Sequence, residues 1–398
     1  MRELLQSRAG RVFAAAAAVV AIGAAIGLVV LWPGDADPKL GKVFGGETEL
    51  GEVTRAEEFA CSGALTDTCL DVTVELRSGE GEGTETVIRN LGATGGPIPP
   101  GLGVGDQVRV SPVVPLPGRA APTEYTLADY ERRSPMLWLA IAFAALVVLF
   151  GRLRGALSLL GLGISLAIVL VFIVPAILDG GDPLWVAVFG ALAVMLATIS
   201  LTHGLNAKSV AAILGTTASL ALVATLAKLF TEATSLTGLS SEEAGTLVFN
   251  EVVSQPSLQG LLLAGMVIGA LGVLDDVTVS QASTVIALRS ANPGLGFAQL
   301  YRRAILVGRD HVSATVNTLV LAYVGAALPV LLVLTSSEVG LLDGINLELV
   351  AQEIVAMLVG SIGLIAAVPL TTGLTAALAV RTDPDRLQAS AGPSGHAH

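Results

Sequence analysis

The sequence predicts an all-α polytopic membrane protein with about eight transmembrane helices, one of them broken or followed by a re-entrant or surface helix, and a small extracytoplasmic β domain. Three observations carry that prediction. The chain has 398 residues, 53% of them hydrophobic and only 14% charged, with a mean hydropathy of +0.75; soluble globular chains of this length do not have that balance. Apolar runs long enough to cross a hydrocarbon core of about 30 Å recur along it. Its one sizeable polar stretch, residues 34 to 134, instead carries short alternating runs separated by glycine-rich turns.

The first element is an anchor, residues 1 to 33. Arg2, Arg8 and Arg11 precede an apolar run from Val12 to Leu31, which Trp32 and Pro33 close. Basic flanks stay in the cytoplasm, so the N-terminus is expected inside and the polar stretch after the anchor outside. The run is longer than the roughly 7 to 15 residues of a signal-peptide core, so it reads as a retained signal anchor rather than a cleaved leader.

Residues 34 to 134 hold most of the acidity. Between Asp35 and Arg133 stand 17 Asp or Glu against 9 Lys or Arg, within a whole-chain formal charge of −11. No clustered basic surface of the kind nucleic acid needs is present. The runs LDVTVEL (70–76), ETVIRNL (85–91) and DQVRVSPVV (106–114) predict strands of a small β-barrel or sandwich. The only cysteines, Cys61 and Cys69, fall here; outside a membrane they suit a disulfide, the alternative being two buried free thiols.

The membrane domain, residues 135 to 381, comes next, with crossings read at 136–150, 155–178, 184–202, 209–230, 258–274, 312–335 and 349–380. Arg152 and Arg154, Lys208, Arg289 with Arg302, Arg303 and Arg309, and Arg381 with Arg386 then all fall on the side of the N-terminus. Lys228 is an exception that can snorkel outward. Both termini are therefore expected in the cytoplasm, with the chain in a bacterial cytoplasmic membrane. Phe297, Leu300, Tyr301 and Ile305, with arginines nearby, predict an amphipathic surface helix over 295–308. Residues 232 to 255 read as a polar outer cap. The tail, 382 to 398, reads as disordered, with His396 and His398 no metal site.

The stretch from Leu258 to Arg289 carries the most chemistry. Seventeen nearly unbroken apolar and small residues lead into Asp275 and Asp276. On a helix, Gly265, Gly269, Gly272, Asp276, Ser280 and Ser283 or Thr284 form one small and polar stripe, expected to pack against other helices. Its 32 residues would reach roughly 48 Å at about 1.5 Å each, too far for one plain crossing. A crossing over 258–274, then a second helix from Val277 to Arg289 capped by Asp276, is the expectation; the acidic pair reads either as that cap or as a functional polar site.

Other polar groups within the apolar segments are few: Thr202, His203 and Asn206; Asp310, His311, Ser313 and Asn317; Gln352, Glu353 and Ser361. Most are expected to satisfy one another between helices. Adjacent carboxylates are different, because in a low-dielectric setting they call for a proton, a cation or an arginine partner. No phosphate-binding loop, Cys/His metal cluster or catalytic triad is present. A Gly-x-x-Asp stretch ending at Asp275 lacks the second intramembrane aspartate that aspartyl proteases need. No enzyme, cofactor or metal is expected.

The runs GALGVLDDVTVSQAS (269–283), GRDHVSATVNTLVLAYVGAALP (308–329) and EIVAMLVGSIGLIAAVPLTT (353–372) resemble the YibE/F-like family of bacterial multi-pass membrane proteins. Asp275, Asp276, Asp310, His311, Asn317, Thr318, Tyr323 and Pro369 lie in the matching runs. The resemblance implies fold and membrane location but no established activity. Transport of an ion or small solute is the leading expectation, with Asp275 and Asp276 holding a proton or cation, His311 and Asn317 as partners from the next crossing, and Pro369 kinking the last. The alternative is an envelope scaffold presenting the β domain. Lipid is the certain partner; a second copy of the chain or an envelope protein is the further expectation.

Overall fold

The computed structural model describes residues 7–34, 48–61, 68–79, 81–92, 98–112, 125–240, 258–337 and 340–382. Most of the expected outer cap, residues 241 to 255, and the tail with His396 and His398 lie outside the described residues. The chain divides into two compact units, Asp37–Leu149 and Met1–Ala36 with Phe150–His398.

The smaller unit is built on β1 (Glu49–Ala60), β2 (Thr68–Leu76), β3 (Glu85–Leu91), β4 (Gln107–Pro112) and β5 (Tyr125–Tyr130). They form one antiparallel sheet in the order β3-β2-β1-β4-β5. β3 also lies against β5, so the sheet curls on itself with the strand order of an OB-type barrel. The alternation in β2 puts Leu70, Val72, Val74 and Leu76 into a core with Val53, Ile88, Val108 and Val110. Cys61 and Cys69, with Cα atoms 5.6 Å apart, join the end of β1 to β2 through a disulfide. β1 lacks a plain apolar alternation because five of the twelve residues of ELGEVTRAEEFA are charged and its outer end is exposed.

The helices are α1 (Arg8–Val30), α2 (Arg133–Ile168), α3 (Val174–Leu178), α4 (Pro183–His203), α5 (Ala207–Ala233), α6 (Leu258–Ala291), α7 (Phe297–Ala326), α8 (Leu328–Ser336), α9 (Leu341–Asn346) and α10 (Glu348–Val380). A π-helical turn, Val169–Ile173, links α2 to α3; Pro175, two residues after it, has no N–H to donate and loosens the ladder there. Ser7 caps α1 by accepting from Gly10 N at 2.8 Å, and Asp182 caps α4 by accepting from Trp185 N at 3.1 Å. Gly204, at φ 69°, ends α4 in a backbone conformation that glycine adopts without strain. Asn206 then caps α5, accepting from Ser209 N at 3.1 Å. The core lies where α5, α6 and α10 meet, with α4, α7 and α1 around them.

Among the described residues, six helical stretches are long and apolar enough to cross a membrane, or seven with the bent pair α7 and α8 taken as one span. The crossings expected at 136–150 and 155–178 form one helical stretch, Arg133–Leu178. Its ladder is interrupted at Arg152 (φ 51°, ψ −131°), between the two expected crossings.

Two expectations need correction. The helix at the acidic pair is not broken: α6 runs from Leu258 to Ala291 without interruption. No glycine or proline follows Gly272 until Pro293, so Asp276 lies inside the helix rather than capping a second one, and Asp275 bonds a neighbouring helix. The surface helix over 295–308 is likewise the first half of an unbroken α7; the bend, 58°, comes where α7 gives way to α8, just before Pro329, which has no N–H to continue the ladder. Among the described residues, Gly265 and Gly272 have nothing within 4 Å of where a Cβ would lie, and Gly269 has only the Tyr323 hydroxyl at 3.7 Å; the face of α6 buried within this chain carries Leu263, Val267, Leu274, Val277 and Val285. Pro369 lies on the exposed side of α10, which runs through it from Glu348 to Val380.

Candidate functional site

Asp275 and Asp276 stand halfway along α6. Asp275 turns towards α4, where its Oδ2 accepts from Thr198 Oγ1 at 3.2 Å. That hydroxyl has one proton and two other acceptors, Val194 O at 2.9 Å and Met195 O at 3.2 Å, so it serves the carboxylate only part of the time. The other oxygen, Oδ1, is buried with no hydrogen-bond partner. Asp276 is exposed. A buried acceptor left unmade costs about 1–3 kcal/mol, more when charged.

Both carboxylates line a cavity of about 580 Å³ bounded by the second half of α2, by α4 and the start of α5, and by α6. Ser158 and Ser165 on α2 and Thr198 and Thr202 on α4 supply hydroxyls to its wall. Arg154, His203 and Lys208 supply basic groups. Lys208 Nζ lies 3.3 Å from His203 Nδ1; the ammonium can only donate, which leaves Nε2 of the ring to carry the proton. Asn206 Nδ2 donates to His203 O at 2.7 Å, holding the turn between α4 and α5 closed. Among the described residues no ion pair joins these bases to Asp275 or Asp276.

Asp310, His311 and Asn317 are not brought to the site. All three are exposed on α7 and none lines the cavity. Of the polar residues expected at the end of α4, Thr202, His203 and Asn206 do line it. Sequence reading missed Thr198, Arg154, Ser158, Ser165 and Lys208 as site residues. The signal for Thr198 was its place one helical turn before Thr202, on one face of an otherwise apolar run.

A larger depression of about 900 Å³ in the β unit is lined by Glu49, Ser78, Thr84 and Tyr125. Its groups already serve the fold: Ser78 Oγ accepts from Leu50 N at 2.8 Å, and Thr84 Oγ1 donates to Gly81 O at 2.6 Å. Among the described residues no group of three or more His, Cys, Asp or Glu is placed to hold a metal ion.

The family model described as YibE/F-like protein matches residues 139–381, a span that includes every residue lining the 580 Å³ cavity. No curated protein and no solved structure matches the chain.

Proposed function

Given that this chain belongs to the YibE/F-like family, we propose that it carries an ion or small polar solute across a bacterial cytoplasmic membrane through the cavity beside Asp275 and Asp276. In this reading Arg152 marks a reversal, the chain crosses eight times, both termini are cytoplasmic and residues 34 to 134 lie outside. One observation carries the proposal: Asp275, in a long apolar helix, keeps a buried oxygen without a partner on the wall of a polar cavity. Intramembrane ionisable groups are expensive and usually mark a pathway.

The test is flux into proteoliposomes of the full-length chain, with rubidium and proton movement as probes. Asp275→Asn with Asp276→Asn should reduce flux roughly tenfold or more, since a bond to a charged group is worth about 1.5–3 kcal/mol, while insertion stays normal. Undiminished flux in that double variant removes the site assignment.

A second reading has its own support, the separate compactness of the β unit: the helices anchor that unit to an envelope assembly. Residues 34 to 134 on an unrelated membrane anchor should then complement a deletion strain in full. Failure to complement returns the function to the helices.

A further inference from the structure

We infer that the cavity takes a small zwitterion, an ammonium and a carboxylate a few bonds apart, with the ammonium at Asp275 and Asp276 and the carboxylate at Arg154 and Lys208. This rests on the reading of the cavity as a solute site and names the class of solute.

Two carboxylates, an arginine and a lysine share the lining of one cavity of about 580 Å³, and no ion pair among the described residues cancels them. A lone cation entering this space would gain two carboxylates but meet an arginine and a lysine. A lone anion would meet the reverse. A zwitterion offers each wall the opposite sign while leaving the net charge of the filled cavity unchanged, so it avoids both penalties in a setting where unpaired charge is costly.

The placement along the helices agrees. On α4, Thr198 touches Asp275 and His203 touches Lys208. Those two points are five positions apart on α4, about 7.5 Å of axial rise, so the acidic and basic groups meet the cavity at different levels, as the two ends of a dipolar ligand require. Lys208 lies in the first turn of α5, where free backbone N–H groups add to the attraction for a carboxylate. The hydroxyls of Ser158 and Ser165 line the same wall as Arg154 and fit a polar ligand body rather than an apolar one. The size is also right, since sites for small molecules occupy about 300–1,000 Å³.

The test is thermal unfolding of the full-length protein in detergent, titrated with glycine, L-alanine and 4-aminobutyrate, and separately with methylammonium and acetate at matched ionic strength. At least one zwitterion should raise Tm in a saturable way while methylammonium and acetate do not. Asp275→Asn alone, and Arg154→Gln with Lys208→Gln, should each weaken the apparent affinity about tenfold or more. Arg154 is exposed beside the interruption of α2 and Lys208 lies in the first turn of α5, so the second variant reports even if the first folds poorly. Stabilisation by methylammonium alone makes this a cation site, stabilisation by acetate alone makes it an anion site, and no response to any zwitterion ends the proposal. Saturable zwitterion binding without any flux in proteoliposomes would remove transport and leave the ligand class standing; rubidium or proton flux without zwitterion binding would do the opposite.

Discussion

A glycine matters here for what stands opposite it. A Cβ on Gly215 of α5 would collide with the Thr371 side chain of α10 and come within 3.3 Å of its Cα. Since backbone cannot give way as a flexible side chain can, Gly215→Val should push α5 from α10 and cost about 1–3 kcal/mol. Gly265→Val, with nothing within 4 Å of its Cβ, should be close to neutral. Thermal unfolding of the full-length chain in detergent separates the two; equal losses would refute this account of the packing. The spacing of Gly265, Gly269 and Gly272 shows that one face of α6 is small, but nothing in a single helix says what faces it. The acidic pair was legible for the opposite reason: two carboxylates after seventeen apolar residues demand a polar setting whatever the neighbours are. Thr198 was not, because a lone threonine in an apolar run can satisfy its own hydroxyl on the carbonyl one turn back.

Between elements, the junction of α6, α7 and α10 turns on one buried amide. Gln281 Nε2 donates to Ala304 O at 3.0 Å and to Thr372 Oγ1 at 2.7 Å, and Gly308 makes room for it, since a Cβ there would lie 2.8 Å from Gln281 Oε1 and 2.6 Å from Val368 Cγ1. Hydrogen bonds between membrane helices average only about 0.6 kcal/mol, so Gln281→Leu should cost roughly 1–2 kcal/mol. Gly308→Leu should cost more, because it displaces the amide and overpacks against Val368 together. Adding Gln281→Ala to Gly308→Leu should restore part of the loss, a coupling of about 0.5–3 kcal/mol in a double-mutant cycle; strict additivity would mean that the two side chains do not compete for this space. The continuity of α6 and α7 belongs to this scale too. Length against bilayer thickness argued for breaks near Asp276 and Gly308, yet neither position has a proline nearby, and tertiary contacts on Val277, Gln281 and Ala304 keep the helices whole.

For the molecule as a whole, the number of crossings turns on Arg152. The stretch Arg133–Leu178 has 46 residues and would reach about 69 Å if straight, more than twice a hydrocarbon core of about 30 Å. A non-glycine residue at φ 51° interrupts the ladder of this stretch at Arg152, and the proposed topology puts its turn there. The basic residues read from sequence agree, since only a reversal there keeps Arg152, Arg154, Lys208 and Arg303 on one side of the membrane. Single cysteines in a background where Cys61 and Cys69 are alanine, probed with a membrane-impermeant thiol reagent on spheroplasts, test the reversal. Ser78→Cys in the β unit should label in intact spheroplasts, whereas Gly151→Cys and Gly294→Cys should label only after permeabilisation. Labelling of Gly151→Cys from outside would remove the reversal and reduce the count below eight. The same result would put Arg154, which lines the cavity, on the outside, and with it the side from which the proposed solute would enter.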